Sequence, residues 1–267
     1  MKALDVLLFG GQSNMQGQTE QLLDGAVVPG AWEYRLLTDE AVPLCDPVGE
    51  NIRSDGTKGE AIVWGMTGEQ CAQWLASHTL GAACYGHTTL VPAFCRAYRE
   101  QTGQEVLAAH VARGSTHLAL WLPGTDGYRL LVKKAAGALR KAAELGTVGR
   151  VFFVWLQGES DAVLGHSRQQ YKEELTRLAQ ALTADVGIHR FGVIRVGRFA
   201  GDARDDEILA AQEEICRERE EFLLLTDIAT RLNEQPEYMN PFAGGHYSAS
   251  GLVRLGEAAG EAMGRNR

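Results

Sequence analysis

Val151-Phe152-Phe153-Val154-Trp155-Leu156 is an unbroken apolar run that stops abruptly at Gln157-Gly158-Glu159-Ser160-Asp161. A run this short, with no polar residue on either of its alternating faces, suits a strand covered on both sides, as in a parallel sheet between layers of helices. Leu4 to Phe9 has the same character, interrupted only by Asp5, and stops at Gly10-Gly11 before Gln12-Ser13-Asn14. Glycine permits a sharp turn without a side-chain penalty. Both runs therefore bring polar residues to the carboxyl edge of a sheet, where open α/β folds bind ligands.

Further apolar runs at 106–111, 191–196 and 222–225 read as strands, and helical patterns lie between them. One helix begins at Thr88 or Thr89, tolerates Pro92 in its first turn and ends at Gly103. A second spans 126–145, with Leu130, Leu131, Ala135 and Leu139 inward and Lys133, Lys134, Arg140 and Lys141 outward. Ser167 with Gln170 makes a capping-box start for a helix to about 185. Others cover 205–221 and run from Ser248 or Ser250 to 263. Strands alternating with helices imply right-handed βαβ crossovers and a three-layer α/β/α sandwich with a central parallel sheet. Residues 18–87 form a long excursion rich in glycine and proline, with a short hairpin at Trp32-Glu33-Tyr34; such excursions tend to carry binding surface. One domain over 1–267 is the simplest account.

With 267 residues, 45% of them hydrophobic, the chain has ample material for a core. Its net charge of -8, with no basic block, disfavours nucleic acid and anionic membranes as partners. No apolar stretch is long enough to span a bilayer, and the amino-terminal run lacks a cleavage site, so a cytoplasmic protein without a signal peptide is expected. Cys45, Cys71, Cys84, Cys95 and Cys216 show no zinc-ligand or redox spacing and read as reduced thiols. His87, His110, His117, His166 and His189 are scattered without metal-ligand spacing, so no metal is expected; His110 falls in a strand and reads as core.

Three polar clusters sit at element ends: Gly11 to Met15, Gln157 to Asp161, and Gly244-Gly245-His246-Tyr247-Ser248. A serine hydroxyl needs an imidazole within hydrogen-bond reach to act as a nucleophile at neutral pH. His246 is the candidate base for Ser13, since the turn before the last helix reaches the same sheet edge.

These blocks resemble the SGNH/GDSL hydrolase superfamily, in the branch of sialate O-acetylesterases and carbohydrate esterase family six acetylxylan esterases. Its first block, Gly-Gln-Ser-Asn-Met, matches Gly11 to Met15, and its middle block, Trp-x-Gln-Gly-Glu-x-Asp, matches Trp155 to Asp161. Gly114-Ser115-Thr116, followed by Trp121 and Pro123-Gly124, resembles its second block. The resemblance implies a flavodoxin-like fold, Ser13 as nucleophile and His246 as base, and an oxyanion hole from the backbone N–H groups of Ser13 and Gly114 and the side-chain amide of Gln157. It implies no cofactor, and as substrate a small-molecule or oligosaccharide acetyl ester.

The chain departs from the pattern at Ala243, where many such enzymes carry an aspartate three residues before the histidine. Glu159 is then the first candidate to orient His246, ahead of Asp161 and Asp227, with a backbone carbonyl as a further possibility. Gln12 and Asn14 are expected to contact substrate or tie the loops, Arg113 is a substrate-binding candidate that lines a sugar site, and Trp121 and Trp32 are candidates to line that site or pack in the core. Ala243 also motivates the rival reading of a catalytically silent carbohydrate-binding protein. A nucleotide-binding module is disfavoured because Gly10 to Gly17 fits no phosphate-loop spacing. Esters other than those of carbohydrates remain open.

Overall fold

The structure, a computed structural model, describes residues 3–23, 25–36, 38–49 and 88–267. The apolar runs form the strands expected of them. In chain order the elements are β1 (Ala3–Gly11), α1 (Ser13–Gln16), β2 (Ala31–Arg35), β3 (Glu40–Pro43), α2 (Val91–Thr102), β4 (Glu105–Ala112), α3 (Asp126–Leu145), β5 (Thr147–Leu156), α4 (Glu159–Leu164), α5 (Arg168–Val186), β6 (Arg190–Ile194), α6 (Ala203–Glu218), β7 (Phe222–Thr226), α7 (Ala229–Asn233) and α8 (Ala249–Arg265). Short 3-10 turns occupy Leu118–Trp121 and Pro236–Tyr238.

One seven-stranded sheet has the order β3-β2-β4-β1-β5-β6-β7, and every neighbouring pair except β2–β3 is parallel. The chain crosses from β1 to β4 on one side and from β4 past β1 to β5 on the other. The switch point therefore lies at the carboxyl ends of β4, β1 and β5, the place where such sheets open a crevice. Helices α2 and α8 pack on one face and α3, α5 and α6 on the other, giving the three-layer sandwich. Phe152, Phe153, Val154 and Trp155 are all buried, as a strand covered on both faces requires. Among the described residues no helix is long and apolar enough to cross a membrane.

The structure differs from the sequence reading at two places. The Trp32-Glu33-Tyr34 hairpin is part of the sheet, because Ala31, Trp32 and Glu33 pair in parallel with Val106, Leu107 and Ala108. The rest of the excursion, residues 50–87, with Cys71, Cys84 and His87, lies outside the described residues; Cys45, Cys95 and Cys216 are free thiols. Lys134, expected on the solvent face of α3, is wholly buried, and its Nζ donates to the His110 carbonyl at 2.9 Å. A four-carbon stem lets a lysine at the edge of the apolar stripe turn inward when a carbonyl is free to receive it. His110 is core, as expected: it is wholly buried, its Nε2 donates to the Met15 carbonyl at 2.8 Å, and burial depresses its pKa to about 4.

The serine caps form as read, although the Gln170 side chain turns to Glu174 rather than back to the Ser167 N–H as a capping box would have it. Ser167 Oγ accepts from Gln170 N at 3.2 Å, and Ser248 Oγ accepts from Gly251 N at 3.2 Å. Helix α8 meets α2 through Gly256, Gly260 and Gly264; a Cβ on Gly260 would stand 2.2 Å from the Phe94 carbonyl oxygen. Gly260→Ala sets two effects against each other. Helix propensity favours alanine by about 1 kcal/mol, whereas the obstructing atom is backbone in a packed helix and cannot step aside, and overpacking typically costs about 1–3 kcal/mol. The clash should win, with a net loss near 1 kcal/mol, read as a lower urea midpoint at unchanged m-value.

Candidate active site

Ser13 heads α1 immediately beyond β1, and the turn that places it depends on Gly11. A Cβ there would lie 2.0 Å from the Leu156 carbonyl oxygen, with φ at +154°, so only glycine lets β1 run this close to the end of β5. Gln12 N donates to the Leu156 carbonyl at 3.2 Å and Arg113 N to the Gly11 carbonyl at 3.0 Å. These bonds clamp the Ser13 turn between the ends of its two neighbouring strands. Gly114 follows β4 and faces the serine: a Cβ built on it would stand 3.4 Å from Ser13 Cβ. Ser115 next to it adopts a left-handed conformation, φ 58°, uncommon for a residue with a side chain and typical of functional loops.

His246 is carried by the loop before α8. Its N–H closes a turn on the Ala243 carbonyl at 3.1 Å, with Gly245 at φ +76°, and its carbonyl accepts from Asn240 N at 2.8 Å. Asn14, the residue after Ser13, joins this loop to α1. Its Oδ1 accepts from Tyr247 N at 3.2 Å, and its Nδ2 donates to Glu159 Oε1 at 2.7 Å and, more weakly, toward the Gly245 carbonyl at 3.5 Å. Asn14 thus grips the residues on both sides of His246.

The imidazole Nδ1 lies 3.1 Å from the Gly244 carbonyl oxygen. A carbonyl can only accept, so Nδ1 carries the proton and Nε2 the lone pair. Burial holds the pKa of His246 below its ordinary value against the opposing pull of the Gly244 and Ala243 backbone, which keeps the ring neutral at neutral pH. Phe199 stands edge-on to the ring, centroids 5.7 Å apart.

The carboxylates are arranged differently from the sequence expectation. Glu159 is wholly enclosed and makes no hydrogen bond to His246 among the described contacts; it reaches the histidine loop only through Asn14. Its Oε2 has no hydrogen-bond partner among the described residues, and burial raises its pKa. Asp227 is exposed, 3.9 Å from Arg231. Asp161 is buried and accepts from Leu118 N and from Gln157. The Gln157 amide, expected to aim at an oxyanion, is committed to protein partners: Nε2 donates to Asp161, to the Thr116 carbonyl at 3.0 Å and toward Gln12 Oε1 at 3.2 Å. Two amide protons face three protein acceptors, and the Gln157 side chain ties together the loops around it.

Gln12 and Asn14 are likewise loop ties, each buried, with Gln12 Oε1 also accepting from Ser160 N at 3.2 Å. Trp121 is core: it is wholly buried, lies edge-on to Trp155 at 5.7 Å, and its Nε1 donates to Thr116 Oγ1 at 3.0 Å. Trp32, on β2, is partly buried and packs against the core. Arg113 is half-buried beside Gly114. Sequence reasoning missed Gln16, whose Oε1 accepts from the Gly114 N–H at 2.9 Å.

Comparison with known proteins bears on this arrangement. Residues 66–265 match the family model described as carbohydrate esterase, sialic acid-specific acetylesterase. The matched stretch includes the Gly114 loop, the Gln157 to Asp161 turn and His246, and begins beyond Ser13. The "Probable carbohydrate esterase At4g34215" of Arabidopsis thaliana is 28% identical over 209 residues, 78% of this chain and 74% of its own. The crystal structure of NanS superposes with a TM-score of 0.66 at 12% identity, covering 100% of this chain and 99% of the other. XAC1771, described as a novel carbohydrate acetylesterase from Xanthomonas citri, superposes with a TM-score of 0.54 at 17% identity, over 96% of this chain and 55% of its own. The chain belongs to the sialic acid-specific acetylesterase family of carbohydrate esterases and is a carboxylic ester hydrolase.

Proposed function

We propose that the protein removes acetyl groups from O-acetylated carbohydrates through an acyl-serine intermediate, with Ser13 as nucleophile and His246 as general base. The observation that carries this reading is the Asn14 clamp, which ties the loop of a neutral, Nε2-basic histidine to the helix that begins at Ser13. Gly244 O does for the imidazole what an aspartate at position 243 does elsewhere: it fixes the tautomer. The carbonyl lacks an aspartate's negative charge, so the imidazolium formed during attack is stabilised less.

In this mechanism Ser13 Oγ attacks the acetyl carbonyl carbon while His246 Nε2 takes its proton. Negative charge develops on the carbonyl oxygen, where the N–H groups of Ser13 and Gly114 are the donors. Heading a helix, the Ser13 N–H has no intrahelical acceptor. The Gly114 N–H is held by Gln16 Oε1, so the substrate oxygen takes this donor over as Gln16 swings aside. His246 then protonates the departing sugar oxygen, and water activated by the same histidine releases acetate. Gln157 and Glu159 act as positioning residues.

The test is acetate release from O-acetylated sialic acid, acetylated xylo-oligosaccharide and an activated aryl acetate, with peptide mass mapping of acid-quenched reactions. Turnover of at least one sugar ester with an acetyl adduct confined to Ser13 is expected. Turnover without any adduct at Ser13, even in rapid-quench samples, would count against the acyl-serine route, and turnover of the aryl ester alone against the carbohydrate substrate.

Asn14→Ala removes the clamp. It leaves Glu159 Oε1 without its donor and Tyr247 N without its acceptor, a cost of about 1–3 kcal/mol for buried groups left unsatisfied. A displacement of the histidine loop by about 1 Å would cost roughly 10²-fold in rate. We expect kcat to fall by that factor with KM little changed, read by steady-state kinetics on the soluble variant.

A further inference from the structure

Behind the Gln157 brace, His117, Asp161 and His166 converge, one ligand atom from each lying within 4.8 Å of the others. They come from three separate segments: the loop after β4, the first turn of α4, and the loop between α4 and α5. We propose that these residues form a binding site for a divalent transition-metal ion of the zinc class.

Two imidazoles and a carboxylate are a donor set that zinc accepts, with a fourth position left for water. The ring of His117 stands edge-on to that of His166, centroids 5.6 Å apart. His117 Nδ1 is buried and has no hydrogen-bond partner among the described residues, a polar atom left without the partner that buried groups normally have. His166 Nδ1 lies 2.8 Å from Asp161 Oδ1. Ligands around a tetrahedral zinc sit about 3.3 Å apart at ordinary bond lengths, so a slight opening of this pair admits the ion. The ion coordinates the lone pair of His166 Nδ1 in the tautomer that carries its proton on Nε2.

The surroundings are those of a held ligand set. Asp161 is wholly buried, and its orientation is fixed by Leu118 N at 3.0 Å and by the Gln157 amide. Partners of this kind orient metal ligands and raise their basicity. The His166 side chain remains 18% exposed, which provides a way in from solvent. Among the described residues this is the one cluster of three or more such side chains. The sequence criterion of paired histidines on one helix missed it, because the ligands belong to different loops. An ion here would stiffen the loop pair that Gln157 joins, and the inference does not depend on which residue is the nucleophile.

The chain of residues 1–267, stripped with a chelator and dialysed, should take up one zinc ion in competition with a chromophoric chelator. Cobalt substitution should give visible d–d bands without the thiolate charge-transfer band that the free cysteines would produce. Loss of a partner outside the ligand shell typically weakens metal binding 10–100-fold. Loss of a ligand should do more, so His117→Ala and His166→Ala are each expected to bind zinc more than about 100-fold more weakly, with circular dichroism confirming that they fold. Absence of stoichiometric uptake by the native chain, a thiolate signature, or variants that bind as the native chain does would each overturn the proposal.

Discussion

Ser13→Ala is expected to lower kcat for acetyl release by roughly 10⁴–10⁶-fold while leaving the fold and substrate affinity nearly unchanged. The magnitude follows from what the oxygen does. Without it no acyl-enzyme forms, and the residual rate is what an oxyanion site and substrate positioning supply for direct attack by water, about 10³–10⁴ over the uncatalysed reaction in serine hydrolases that lack their nucleophile. The fold should tolerate the change. Ser13 Oγ is not the cap of α1: the residue before it, Gln12, occupies that position, and its side chain makes no cap bond there. The turn is held by Gly11 and by backbone bonds from Gln12 and Arg113, none of which involve the hydroxyl. A thermal midpoint within a degree or two of the native protein, together with near-complete loss of acetate release, is the expected pair of results. Substantial residual turnover would assign the nucleophile elsewhere.

The parts of this molecule that the sequence makes legible are those in which one segment carries its own reason. Val151 to Leu156 is a buried parallel strand because it has no polar face to show. Ser167 and Ser248 cap helices through hydrogen bonds that span three residues. The blocks around Ser13, Gly114, Gln157 and His246 end strands or begin helices, and the strand order brings them to one edge.

What stayed hidden depends on partners distant in sequence. Lys134 has the pattern of a solvent-facing residue, and inside the helix–sheet interface its Nζ donates to the His110 carbonyl. Gln157 and Glu159 have the right types and the right place, but their hydrogen bonds run to Asp161, Thr116 and Asn14, partners that local patterning does not reveal. The group at His246 Nδ1 is a backbone carbonyl, a possibility open from the sequence but one that no side-chain motif could single out. The hairpin at Trp32 joins the sheet through register with β4, a relation that local patterning does not encode.

His246→Ala should cost nearly as much as Ser13→Ala, roughly 10⁴–10⁶-fold in kcat, and the double variant should be little slower than either single one. Groups that act as one unit are lost together, so their effects do not add. The pH profile of the native protein separates this role from a structural one. Only neutral His246 can accept the serine proton, and kcat/KM therefore falls on the acid side as the ring becomes protonated in the free enzyme. Burial holds the folded pKa below the ordinary 6.5, so the acid limb should lie below that value and activity should be flat from there through neutral pH. The same depression bears on stability. The unfolded chain takes up the proton first as pH falls through about 6.5, so the contribution of His246 to stability is complete above that pH and is lost as pH falls through its folded pKa. His110, with its pKa near 4, acts in the same direction and further down the scale. Activity should therefore decline before the helical circular dichroism does on acid titration. An acid limb at or above pH 6.5, or activity and helicity lost together, would mean that the pH dependence reports unfolding or another group rather than the buried base.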